Sequence, residues 1–128
     1  IGVGAWLNGQ PLRVSSIADL PSAALSAGNL KTLAAGPRWA NYGRIVAQVS
    51  RIRGYGDFLH YHLLAAGSIE AVIESDIHIL DIAALTVIVE ESGGRVTDLE
   101  GAPIGLKTRS ILASNGALHE AILAELNR

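Results

Sequence analysis

Cysteine and methionine are both absent from this 128-residue chain. The first absence removes any disulfide framework and any thiol chemistry, and it suits a cytoplasmic protein. The second bears on where the chain sits: it opens Ile-Gly-Val-Gly, which reads as a cut inside a longer protein. Neither sign of charge forms a block. Ten Lys and Arg stand against 12 Asp and Glu, for a net charge of −2, so nucleic acid and anionic membrane surfaces lack their usual electrostatic footprint. Aromatic residues make up only 5%, and Trp6, Trp39 and Tyr42 read as packing residues rather than as a stacking platform for bases. No apolar run approaches the roughly 18 residues of a membrane helix, and no secretory signal opens the chain. What is plentiful is apolar material, 49% of residues, enough for the core of one domain over residues 1–128.

Local signals alternate between strand and helix. Residues 3–7 and 10–14 flank Asn8-Gly9, the pair that a tight type I′ hairpin turn requires, and Pro11 makes the second arm an edge or irregular strand. Residues 15–21 read as a turn or short helix, 23–27 as a strand and 30–37 as loop, broken by Gly36-Pro37. A helix is expected over 38–51 with Ile45, Val46 and Val49 inward, then a short strand at 51–55. A second helix is expected from Asp57, with Leu59, Leu63, Leu64 and Ala66 as its stripe and Gly67 as its stop. Residues 69–73 read as a buried strand, 82–92 as a helix capped by Gly93-Gly94, 95–97 and 110–113 as strands, and Asn115 or Gly116 onward as the last helix, with Leu118, Ile122, Leu123 and Leu126 inward. Strands alternating with helices indicate a layered α/β domain.

The stretch from Glu74 to Asp98 carries the chemistry. Asp81 stands where a helix begins, so it is either an N-cap or a hard oxygen ligand for Mg²⁺, and the two roles are compatible. Glu74 is either a solvated charge at a strand end or a substrate contact. Asp57 is either another N-cap or a substrate contact. His60, His62 and His78 do not read as a zinc site: residues two apart on a helix point to different faces, and no metal-ligand spacing supports one. Gly93-Gly94 leads into no helix and fails the structural test for a phosphate loop.

Asp81-Ile-Ala-Ala-Leu, followed by Ile88-Val-Glu-Glu-Ser-Gly-Gly-Arg-Val-Thr-Asp98, resembles the second signature of the inositol monophosphatase family of Mg²⁺-dependent sugar phosphatases. Residues 4–15 resemble the family's hairpin, and residues 113–119 its last strand and helix start. Leu80 stands where that signature usually has tryptophan. The resemblance runs end to end and implies the carboxy-terminal half of the α/β phosphatase fold. It implies that Asp81 helps bind a catalytic Mg²⁺ and that Glu74 contacts a substrate hydroxyl or amine. Gly56-Asp57 followed by Phe58 looks like the histidinol-phosphatase branch, where Gly56, Asp57 and Glu74 would serve a small substrate bearing an ammonium and an imidazole.

The implied reaction is hydrolysis of a small phosphate monoester by metal-activated water, best matched to histidinol phosphate, with inositol monophosphate and fructose 1,6-bisphosphate as alternatives. The family's other carboxylate ligands lie in an earlier glutamate and an Asp-Pro-Ile-Asp-Gly-Thr-like motif, and neither is present. The fragment alone is therefore expected to be inactive. It is also expected to be a homo-oligomer or to associate with the missing amino-terminal half, because a half-domain exposes apolar surface. A non-catalytic interaction domain reusing the fold is the reading of another class.

Overall fold

The structure, a computed structural model, describes residues 4–56 and 58–128. Strands β1 (Trp6–Leu7) and β2 (Gln10–Pro11) form the expected hairpin, much shorter than its flanking sequence suggested. Asn8 and Gly9 both have positive φ, 51° and 80°, as the tight turn demands. A short 3₁₀ turn at Leu20–Ser22 is capped by Asp19. It leads into β3 (Ala24–Ala27), α1 (Lys31–Ala34), α2 (Trp39–Gln48) and β4 (Arg51–Arg53). Then come α3 (Leu59–Ala65), β5 (Ala71–Glu74), α4 (Ile79–Glu91), β6 (Arg95–Thr97), β7 (Ile111–Ser114) and α5 (His119–Leu126).

The main sheet runs β4-β3-β5-β7-β6. β3 pairs in parallel with β4 on one side and β5 on the other, whereas β7 is antiparallel to both β5 and β6. Alternation along the strands sends residues to opposite faces. Leu25, Ala71, Ile73 and Leu112 enter one core with Tyr42 and Ile45 of α2 and Ile122 of α5. Val72, Ile111 and Ala113 enter the other with Tyr61 and Leu64 of α3 and Ile82 and Val89 of α4. Helices therefore cover both faces of the sheet, the layered α/β arrangement expected from the pattern of elements.

Several local expectations need correction. Residues 30–37 are not all loop: α1 forms there because its free amides are capped from far along the chain, Thr32 N–H by the Asp76 carboxylate at 2.8 Å and Leu33 N–H by Ser75 Oγ at 3.3 Å. The inward face of α3 is His60, Tyr61, Leu64 and Ala65, while Leu59 is 51% exposed. Trp6 is 61% exposed, so it is no packing residue within the described chain, and Trp39 is stacked on Tyr42 with ring centroids 5.4 Å apart. The last helix begins at His119, after a turn in which Asn115 Oδ1 accepts the Leu118 N–H. Gly93 does end α4 with φ 95°. Gly94 is required by packing instead: a Cβ there would lie 2.5 Å from the Ser114 carbonyl oxygen.

Candidate active site

Three parallel strands finish side by side, and the segments that leave their carboxyl ends enclose one cleft of about 650 Å³. From the end of β3 come Ala27, Gly28 and Asn29; after β4 come Gly54, Gly56 and Phe58; from the end of β5 to the start of α4 come Glu74, Asp76, His78 and Asp81. From β3 the chain passes to β4 on one side, and from β4 it crosses to β5 on the other. The cleft thus lies at a switch in strand order, where open α/β sheets bind ligands.

Asp81 reaches this cleft from the first turn of α4, with its carboxylate exposed. It is not the N-cap. The helix starts earlier, with His78 in the cap position, and the Asp81 N–H donates to the His78 carbonyl at 2.9 Å. The first turn of a helix still favours a carboxylate through the helix dipole. Gly56 lines the opposite wall at φ 68°. Asp57, expected beside it, lies outside the described residues.

Glu74 is not a solvated strand-end charge. It is only 6% exposed, and alternation along β5 turns it toward α3, on the same face as Val72. Its Oε1 accepts from the Tyr61 hydroxyl at 2.5 Å and pairs with His60 Nε2 at 2.9 Å, while Oε2 receives the Asn29 N–H at 3.4 Å. Burial alone would raise its carboxyl pKa, but the bonds from His60, Tyr61 and Asn29 outweigh that and hold it below the ordinary value. Tyr61 is raised, first by burial and then by the carboxylate it faces.

Several residues carry no expectation from the sequence. Gly28 is one: a Cβ there would meet Glu74 Cδ at 2.5 Å and Oε2 closer still. Asp76 is another, a non-glycine residue at φ 58° whose carboxylate also accepts from Ser75 Oγ at 2.8 Å and from the Thr32 hydroxyl. A positive φ outside glycine tolerates Asp better than most residues. His60, which the sequence offers only as an unsupported zinc ligand, is fully buried and paired with Glu74. His62 and His78 are exposed. Among the described residues no three acidic, histidine or cysteine groups converge to hold a metal. Among the described residues, Asp81 and Asp76 are the exposed carboxylates that line this cleft, and the Asp76 carboxylate is already engaged by Thr32 and Ser75.

The whole chain, residues 1–128, matches the inositol monophosphatase family. The chain belongs to that family. It is 40% identical to the histidinol-phosphatase of Mycobacterium tuberculosis over 116 residues, covering 91% of this chain and 44% of that protein. It is 36% identical to inositol monophosphatase 1 of Bos taurus over 135 residues, covering 98% and 47%. Among solved structures, the extragenic suppressor protein suhB of Bartonella henselae superposes with a TM-score of 0.89 at 30% identity, covering 99% of this chain and 50% of that one. An inositol monophosphatase of Thermotoga maritima gives 0.84 at 29%, covering 98% and 48%. The chain spans about half the length of these relatives. Members of the family are phosphatases, and their fold is the mixed, helix-covered sheet described above.

Proposed function

We propose that this chain is the carboxy-terminal half of a Mg²⁺-dependent phosphomonoesterase, and that the cleft at the ends of β3, β4 and β5 holds the alcohol portion of a small phosphorylated substrate. The observation that carries this reading is the convergence on one cleft of Gly56 from the segment after β4 with Glu74 and Asp81 from the end of β5 and the start of α4. The reaction is addition of water to a phosphate monoester with release of alcohol and phosphate. Asp81 would supply one oxygen ligand to Mg²⁺, which prefers carboxylate and water oxygens; the bound ion would lower the pKa of the attacking water and neutralise phosphate charge. The remaining ligands would come from the amino-terminal half, so the 128-residue fragment alone is inactive under this reading. The amino end of α4 opens on the cleft, and its dipole favours an anionic phosphate there.

Glu74 is an acceptor held ionised beside a glycine-lined wall, which favours a substrate carrying hydroxyl or ammonium donors. Histidinol phosphate is the best match, supported by the histidinol-phosphatase relatives and by Gly56 in the cleft wall. Such a role belongs in histidine biosynthesis and in the cytoplasm. No described helix is long and apolar enough to cross a membrane. Leu80 and Val87 of α4, exposed at 69% and 38%, would be covered by the other half of the protein or by a second copy.

The test is phosphate release by the full-length protein, with Mg²⁺ and with EDTA, offered histidinol phosphate, inositol monophosphate and fructose 1,6-bisphosphate. Magnesium-dependent preference for histidinol phosphate is expected. Preference for either other ester would keep the phosphatase and discard the substrate, and no release from any would favour a non-catalytic domain. Asp81→Asn in the same protein is expected to lower kcat by about 100-fold or more, since even the partners behind a metal ligand are worth about 10–100-fold. A near-normal rate would remove Asp81 from the metal site.

A further inference from the structure

The inward polar groups of β3, α3 and β5 form one unbroken line behind the cleft. Tyr55 N–H, in the wall that contains Gly54 and Gly56, donates to Ser26 Oγ at 3.2 Å. Ser26 Oγ lies 2.9 Å from His60 Nδ1, and His60 Nε2 lies 2.9 Å from Glu74 Oε1. Register explains the meeting. Ser26 pairs opposite Val72 and shares its face of the sheet, the face that α3 covers. Ser26 and His60 are both fully buried, so neither can trade these partners for water.

The chemistry of the groups sets the direction of the line. An ionised carboxylate has no proton to give, so His60 Nε2 carries the hydrogen of its bond to Glu74. Ser26 Oγ accepts from Tyr55, and with Nδ1 of a neutral ring left unprotonated the Ser26 hydroxyl donates to it. Every donor then points toward Glu74, an order in which each bond polarises the next. Oε1 meanwhile takes both the His60 N–H and the Tyr61 hydroxyl, whereas among the described residues Oε2 has only the long Asn29 contact.

We propose that Ser26 and His60 are positioning residues, which fix Glu74 with Oε1 consumed and Oε2 presented to the cleft, and which tie the carboxylate through Oε1 to the 54–56 wall. The proposal rests on the reading of the cleft as a substrate site. It sharpens the ligand: a forked guanidinium, which wants both carboxylate oxygens, finds no match, whereas a single hydroxyl or ammonium does.

The test uses the full-length protein labelled with ¹⁵N-histidine, His60→Gln serving to assign the His60 signals. The expected result is a neutral ring protonated at Nε2, with an Nδ1 signal that moves in Ser26→Ala while the exposed histidines stay in place. A ring protonated at Nδ1, or an Nδ1 signal indifferent to Ser26→Ala, would overturn the proposal. Kinetics supply the second arm. His60→Leu removes the donor and should raise KM about tenfold with kcat changed less than about threefold, the size of one hydrogen bond to a charged group. His60→Gln keeps an N–H that can reach Glu74 and should hold KM within about threefold of the unaltered protein. Equal loss in both variants, confined to kcat or to protein yield, would mark His60 as merely structural and overturn the proposal. Absence of phosphate release by the unaltered protein would instead sink the substrate-site reading, and the ¹⁵N signals would still decide whether the line exists.

Discussion

Gly28→Ala is a one-carbon change whose cost can be worked from the geometry. The backbone at Gly28 does not occupy the positive-φ region, so alanine is conformationally acceptable and should by itself stabilise the fold by about 0.4–1 kcal/mol through the unfolded chain. The added methyl, however, would sit 2.5 Å from Glu74 Cδ, about 1 Å inside ordinary carbon contact at about 3.5–4.0 Å. Moving the carboxylate that far breaks its bonds to His60 and Tyr61, now 2.9 and 2.5 Å. Hydrogen bonds to a charged group contribute about 1.5–3 kcal/mol each. The net expectation is destabilisation by about 2–5 kcal/mol, read as a lowered urea midpoint at unchanged slope. The same substitution in a Glu74→Ala background has nothing to collide with, so its cost should fall to about zero or become a small gain. A Gly28→Ala protein within about 0.5 kcal/mol of the original, below the usual range for a disrupted buried network, would refute the reasoning. Equal costs in the two backgrounds would do the same.

His119 gives a pH dependence of known sign. It is fully buried between Thr97 Oγ1 at 2.8 Å and Ser114 Oγ at 2.6 Å. Burial first, and then the nearby Arg95, lower its pKa to about 4. The unfolded chain therefore binds this proton when the folded one does not, and stability falls as pH drops from about 6.5 to about 4, by up to about 3 kcal/mol. His119→Gln should flatten the stability profile across that window in urea titrations, and an unchanged slope would exclude His119 as its source. Asp76 makes two contributions, an acceptor for Thr32 and a residue suited to positive φ. Asp76→Asn retains a residue that tolerates positive φ, whereas Asp76→Ala loses both that tolerance and the acceptor for Thr32. Hydrogen exchange at the Thr32 amide should accelerate more in Asp76→Ala than in Asp76→Asn, and equal rates in the two would mean that neither the acceptor nor the backbone conformation at residue 76 protects that amide.

What could be read before folding was whatever depends on neighbours in sequence. Asn8-Gly9 announces its turn because both positions need positive φ, and Gly93 announces the end of α4 for the same reason. Asp81 can be singled out because the motif around it is long, yet the helix begins at Ile79, before the position that its pattern predicts. His78 occupies the cap position without a side-chain bond, so no capping residue marked the true start. The groups that control Glu74 were hidden for a different reason. Ser26, Gly28, His60 and Tyr61 stand on β3, the segment after it and α3, and they meet Glu74 only because β5 crosses to the far side of β3. Nothing local distinguishes Gly28, whose backbone is ordinary and whose necessity lies wholly in a carboxylate 46 positions away. α1 is the same case in miniature, four residues held by Ser75 and Asp76 from the cleft connection. Pairings of this kind depend on strand order. Strand order in turn follows from which apolar faces must be buried together, and a reading confined to one segment at a time contains no term for that. The residues most exposed to such misreading are those at the switch in strand order, where segments distant in sequence end side by side. The candidate site occupies that place, so its motif could be recognised from sequence while the partners that set its charge and geometry could not.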